Sequence, residues 1–86
     1  MVAKIEIYTG PLCNYCDLAK ELLNNIGVEF HEIKLSEYPH KKNEMLYRTG
    51  GKKTVPQIFI NNKPIGGFND LKSLELSGKL NSMLNI

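Results

Sequence analysis

The chain has 86 residues, 42% of them hydrophobic, and a net charge of +2 from 11 basic and 9 acidic side chains. That length leaves room for one domain, 1–86, with a single core, and the charge is too mild to argue for nucleic-acid binding. No apolar run is long enough to cross a bilayer, and Met1-Val2-Ala3-Lys4 lacks an apolar signal region, so a cytoplasmic protein with no membrane partner is the expectation.

Lys4-Ile5-Glu6-Ile7-Tyr8 alternates polar and apolar residues with the two-residue period of a strand, and Thr9-Gly10-Pro11 breaks it. Cys13-Asn14-Tyr15-Cys16 follows and holds the only two cysteines. Leu18, Leu22 and Ile26, with Ala19 and Leu23 beside them, then mark one face of a helix that Gly27 should close. Val28 to Leu35 reads as a strand whose alternation slips, since Val28 and Phe30 have one parity and Ile33 and Leu35 the other. Either a bulge lies there, or both faces are partly covered. His31 reads as a surface strand residue.

Ser36-Glu37-Tyr38-Pro39 turns into a second helix, with Pro39 suited to its first turn. Met45 and Leu46, joined by Tyr38 or Lys42, form its weak apolar stripe, and Gly50-Gly51 stops it. Gln57 to Ile60 is a strand entered through Thr54-Val55-Pro56. Asn61-Asn62 is a hairpin turn, and Lys63-Pro64-Ile65 is a returning edge strand. Gly66-Gly67 ends it, and Asn69 or Asp70 should cap a third helix carrying Leu71 and Leu74 up to Gly78. Leu80, Met83 and Leu84 form a last short turn. The order β-α-β-α-β-β-α implies a four-stranded mixed sheet with helices on both faces. Its first two strands should be parallel and its last two antiparallel.

The dithiol carries the chemistry. Cys13 lies where a strand ends and a helix begins, beside unpaired N–H groups and the positive end of the helix dipole. Its thiolate should therefore be stabilised and nucleophilic at neutral pH. Cys16, one turn further in, is placed to attack a mixed disulfide on Cys13. Zinc would need four protein ligands, or three and an open position, and only His31 and His40 accompany the two thiols. A bridge closing so short a loop would add little stability. Redox chemistry is the favoured reading, with no metal in it.

At this point the chain resembles a glutaredoxin, a small member of the thioredoxin superfamily. Tyr8-Thr9, Cys13-Asn14-Tyr15-Cys16, Thr54-Val55-Pro56-Gln57 and Gly66-Gly67-Phe68-Asn69-Asp70 carry the resemblance, in order, over nearly the whole chain. It implies a thioredoxin-like fold, Cys13 as nucleophile, Cys16 as resolving thiol and a cis peptide bond at Val55-Pro56. It also implies glutathione as co-substrate. The cysteinyl unit would pair with Val55 and the γ-glutamyl end would meet Gly67, Phe68 and Asn69. Asp70 would take the α-amino group, and Tyr15, Thr54 and Pro56 would line the groove. The activity implied is glutathione-dependent reduction of protein–glutathione mixed disulfides and protein disulfides by a monomer.

The chain departs from the family pattern twice: Asn14 stands where dithiol members most often have proline, and Gly10 where they commonly have lysine. The first leaves open a glutathione-assisted carrier of a [2Fe–2S] cluster. The second leaves open a redoxin recharged by thioredoxin reductase, against which the Gly67–Asp70 segment speaks. Lys52 and Lys53, directly before Thr54, are candidates to replace the missing cation, with Lys52 assigned to the glutathione site.

Overall fold

The alternation at the start of the chain is realised as β1 (Ile5–Thr9) in the computed structural model, which describes residues 3–85. Met1 and Val2, on which the N-terminal reading partly rested, lie outside the described residues. After β1 come α1 (Asn14–Ile26), β2 (His31–Lys34), α2 (Lys41–Thr49), β3 (Gln57–Ile60), β4 (Lys63–Gly66), α3 (Phe68–Leu76) and α4 (Lys79–Leu84). The sheet order is β2-β1-β3-β4, with β1 parallel to β2 and antiparallel to β3, and β4 antiparallel to β3. The mixed sheet and its element order match the expectation from the residues.

Side-chain parity sorts the core into two layers. Ile5, Ile7, Ile58 and Ile60 face α1, α3 and α4, where Ala19, Leu22, Leu23, Leu71, Leu80 and Leu84 are buried against them. Tyr8, Ile33 and Phe59 face the other way and pack with Met45 of α2. The slipped alternation before β2 has this origin. Val28 and Phe30 reach the first layer, while Ile33 and Leu35 belong to the second. Only His31–Lys34 pairs as strand. The register shift falls elsewhere, at Ile58/Phe59 between β3 and β4.

In α1 the fully buried face is not the line through Leu18, Leu22 and Ile26, since Leu18 is exposed. Cys16, Ala19 and Leu23, spaced i, i+3 and i+7, are the residues turned to the sheet, with Leu22 beside them. The helix ends at Gly27, whose φ of 87° is open to glycine and which donates to the Asn24 and Leu23 carbonyls.

α2 begins at Lys41 rather than at Pro39, which sits in the turn before it and accepts the Lys42 N–H at 3.2 Å. Tyr38 is half exposed and takes no part in the stripe, and Met45 is the one residue of α2 that is fully buried. Polar contacts supplement so thin an apolar face. The Arg48 guanidinium pairs with Glu6 at 2.8 and 3.3 Å, donates to the Tyr8 hydroxyl at 2.9 Å and lies 3.9 Å from the Phe59 ring centre. Tyr8 in turn donates to Glu44. This phenol bond holds the Glu44 carboxyl below its usual range, while burial and the same bond push Tyr8 up.

Asn61 and Asn62, with φ of 51° and 68°, make the tight turn between β3 and β4. The cap of α3 differs from expectation. Gly67 is the N-cap, and Asp70 is the acid of a capping box, accepting the Gly67 N–H at 3.0 Å. Among the described residues no helix is long and apolar enough to cross a membrane.

Candidate active site

Cys13 occupies the N-cap of α1 with an extended backbone, and Cys16 lies one turn in. Cys13 Sγ accepts the Cys16 N–H at 3.1 Å, one of the donors that a helix start leaves without a backbone partner. The two sulfurs are joined in a disulfide, so the structure is the oxidised form. Cys13 is half-buried, whereas Cys16 is only 2% exposed. One sulfur is therefore open to a large substrate and the other is reached only through it. In the reduced form the same N–H and the helix dipole favour a thiolate on Cys13.

The second wall is the Val55-Pro56 turn, whose peptide bond is cis. The Val55 carbonyl oxygen lies 3.7 Å from Cys13 Sγ. Gln57, buried at the start of β3, braces this turn by donating from Nε2 to the Thr54 carbonyl at 2.9 Å and to Thr54 Oγ1 at 3.2 Å. The sequence places Gln57 in a strand and in the Thr54–Gln57 motif but assigns it no bracing role; its signal was a polar side chain among apolar neighbours. The start of α3 approaches the same turn, for a Cβ on Gly67 would stand 3.5 Å from the Pro56 carbonyl oxygen. Tyr15 and Phe68 stack with ring centres 6.1 Å apart and link α1 to α3.

These elements enclose a groove of 380 Å³. Tyr15, Thr54, Val55 and Pro56 line it from one side, and Gly67, Phe68, Asn69 and Asp70 from the other. Lys52 reaches its rim, with Gln57 at its floor; Lys53 is not among its lining residues. A larger hollow of 660 Å³ lies on the α2 side between residues such as Glu6, Tyr38 and Arg48 and has no thiol in its walls, so the chemistry directs attention to the smaller one.

Gly10 has a steric reason besides charge. A Cβ there would meet Val55 Cγ2 at 3.1 Å, tighter than an ordinary contact. Next to the dithiol, Lys20 of α1 lies 3.8 Å from Asp17 and 3.1 Å from Glu32. Burial pushes the Glu32 carboxyl up, but bonds from Thr9 Oγ1 at 2.8 Å and from Lys20 outweigh it and hold the group low. Among the described residues no group of three or more His, Cys, Asp or Glu side chains converges to hold a metal ion.

A surface dithiol at a helix start, set against a cis-proline turn on a mixed sheet, defines a thiol–disulfide oxidoreductase of thioredoxin-like fold. The glutaredoxin family model matches residues 5–65. Glutaredoxin 3 of Escherichia coli K12 is 45% identical over 96% of this chain and 99% of its own, and glutaredoxin 1 of Rickettsia typhi is 44% identical over 93% and 78%. Among solved structures, glutaredoxin from Brucella melitensis superposes with a TM-score of 0.81 at 47% identity, covering 96% of this chain and 89% of that one. A buckwheat glutaredoxin–glutathione complex gives 0.85 at 30% identity, covering 96% and 77%. The chain belongs to the glutaredoxin family.

Proposed function

We propose that Cys13 is the nucleophile and Cys16 the resolving thiol, and that glutathione occupies the groove of Tyr15, Lys52, Thr54, Val55, Pro56, Gly67, Phe68, Asn69 and Asp70. The observation that carries this is the Val55 carbonyl 3.7 Å from Cys13 Sγ, at the edge of a 380 Å³ groove. A glutathione cysteinyl unit laid along Val55 as an added strand brings its sulfur to Cys13. The Gly67 N–H already belongs to Asp70, so the γ-glutamyl carboxylate meets the remaining free amides at the start of α3. Asp70 faces the α-amino group. The buckwheat glutathione complex supports this pose by the likeness of the folds.

In the reduced enzyme the Cys13 thiolate attacks the glutathione sulfur of a protein–glutathione mixed disulfide. A Cys13–glutathione disulfide forms, and the protein thiolate leaves and takes a proton. A second glutathione thiolate then attacks the bound glutathione sulfur, releasing oxidised glutathione and restoring Cys13. With a protein disulfide, Cys13 forms the mixed disulfide with the protein itself, and Cys16 attacks Cys13 Sγ and expels the reduced protein. That second route leaves Cys13 and Cys16 joined as a disulfide, which glutathione then reduces.

The partners in this reading are glutathione and glutathionylated or disulfide-bearing proteins, and the working unit is a cytoplasmic monomer. The test is a pair of variants. Cys13→Ser abolishes both reactions, whereas Cys16→Ser keeps deglutathionylation and loses protein-disulfide reduction. If Cys16→Ser is as inactive as Cys13→Ser on a glutathionylated substrate, the division of roles is wrong.

A further inference from the structure

Leu12 breaks two local rules at once. Its φ is 50°, in the left-handed region that a γ-branched L-residue adopts only at a cost, and where Gly or Asn would be expected. Its side chain is 106% exposed, so it packs on nothing in the protein. The strained backbone acts against stability, the fully hydrated leucine contributes nothing to it, and no contact of that side chain within the fold offsets the strain. Such a combination beside a reacting atom points to a use outside the folded chain. Leu12 directly precedes Cys13, yet it is absent from the walls of the groove proposed for glutathione. Gly10 and Pro11 stand before it and the exposed Tyr15 and Leu18 follow, with the exposed Asp17 carboxylate between them as a further bar to an acidic flank.

We infer that Leu12 is a specificity-determining residue that receives the polypeptide half of a glutathionylated protein, favouring an apolar residue next to the modified cysteine. The inference rests on the reading of the groove given above. A mixed disulfide has two halves joined by a sulfur–sulfur bond of about 2 Å. If the glutathione half fills the groove, the leaving cysteine sulfur lies one bond beyond the attacked sulfur. The residues flanking that cysteine must then cross the surface around Cys13 outside the groove. There the αL backbone holds the Leu12 side chain away from the fold, free to be covered. Covering it removes apolar area from water, which favours apolar neighbours over charged ones. A small mixed disulfide has no flanking chain and gains nothing. The bonds made and broken are those of the deglutathionylation step, so no further reactant is needed.

The test uses two glutathionylated peptides of equal length, one with Leu and one with Glu on either side of the modified cysteine, and the mixed disulfide of glutathione with 2-mercaptoethanol. The full chain is assayed with Leu12→Asn and Leu12→Gly, both of which accept φ of 50° more easily and therefore keep or raise the melting temperature. The unmodified enzyme is expected to prefer the Leu peptide by roughly three- to ten-fold in kcat/KM, the range for covering part of one leucine. Both variants should erase that preference and leave the small substrate within about two-fold. Equal rates on the two peptides before substitution, or a preference that survives both variants, overturns the inference and leaves the groove reading intact. An equal fall on all three substrates also overturns it, because Leu12 would then act through Cys13 itself. If the unmodified enzyme turns over the peptides only through Cys16, without a glutathionylated intermediate, the groove reading falls and this inference with it.

Discussion

Lys52 and Lys53 were equivalent in the sequence, and the groove separates them. Only Lys52 is on its rim. Lys52→Ala should raise the KM for glutathione by up to about five-fold, the range of an exposed ion pair, and leave kcat little changed. The effect should shrink at high salt, and Lys53→Ala should have none. Equal effects of the two alanine variants would return both lysines to the rim. Gly10 sharpens the comparison. Restoring the family lysine there brings a cation near Cys13 but forces its Cβ against Val55 Cγ2 at 3.1 Å. Gly10→Ala carries the contact without the charge, so it should raise the KM for glutathione by displacing Val55. Gly10→Lys with Val55→Ala should bind better than Gly10→Lys alone. Gln57→Ala removes both bonds to Thr54 and leaves the turn unbraced. A loss of about 1–2 kcal/mol in stability and a raised KM are expected, measured by urea denaturation and by steady-state kinetics.

At the scale of elements, α2 shows how a helix with one fully buried apolar residue stays on a sheet. Arg48 binds Glu6 with both nitrogens, and the Glu6 side chain is only 12% exposed. Arg48→Ala leaves that carboxylate with only the more distant Lys4, at 4.0 Å, and should cost about 2 kcal/mol. Arg48→Lys should recover little of this, since an ammonium neither forks onto the carboxylate nor stacks on Phe59 in the same way. Two carboxyls give the fold an acid limit. Glu32 and Glu44 are both held below the usual carboxylate range. Such groups stabilise the fold fully above their unfolded pKa, about 4.3, and that stabilisation is lost as pH falls through the folded values. The urea midpoint should therefore be flat at neutral pH and fall below about pH 4–5. Thr9→Val, which removes the hydroxyl bond to Glu32, brings the folded pKa of that group back toward the unfolded one, so it should lower the midpoint at neutral pH and make the acid fall shallower. An acid limb unchanged in Thr9→Val would assign the loss to other carboxyls.

For the whole molecule, what could be read in the sequence was what depends on local period and on turn chemistry. The parity change between Phe30 and Ile33 announced a sheet covered on both faces. Gly27, Gly50 and the Asn61-Asn62 pair marked their turns because each needs a positive φ. The groove was legible only as four separated motifs, joined by resemblance to a family. The sequence misread what depends on which way an element turns. Leu18, Leu22 and Ile26 looked like the α1 stripe because they are large, but the face turned to the sheet holds Cys16 and the smaller Ala19, with Leu18 exposed. Arg48 over Phe59, Gln57 under Thr54 and the αL backbone of Leu12 left no periodic trace. Each depends on residues or backbone angles that spacing does not encode.

The strand order also bears on how the chain is made. β1 lies between β2 and β3, so a strand made before either neighbour is paired on one side by 31–34 and on the other by 57–60. While the chain grows on a ribosome, β1, α1 and β2 can assemble early. The inner edge of β1 then stays open, with Ile5 and Ile7 awaiting Ile58 and Ile60, until β3 has emerged. Through that interval the nascent chain carries an unpaired edge strand beside uncovered apolar side chains, the kind of surface that pairs with other chains. A pause that holds synthesis after β2 has left the ribosome and before β3 has would lengthen the interval, and a pause before β2 has emerged would not. Aggregation during synthesis should follow the position of the pause even though the finished proteins are identical.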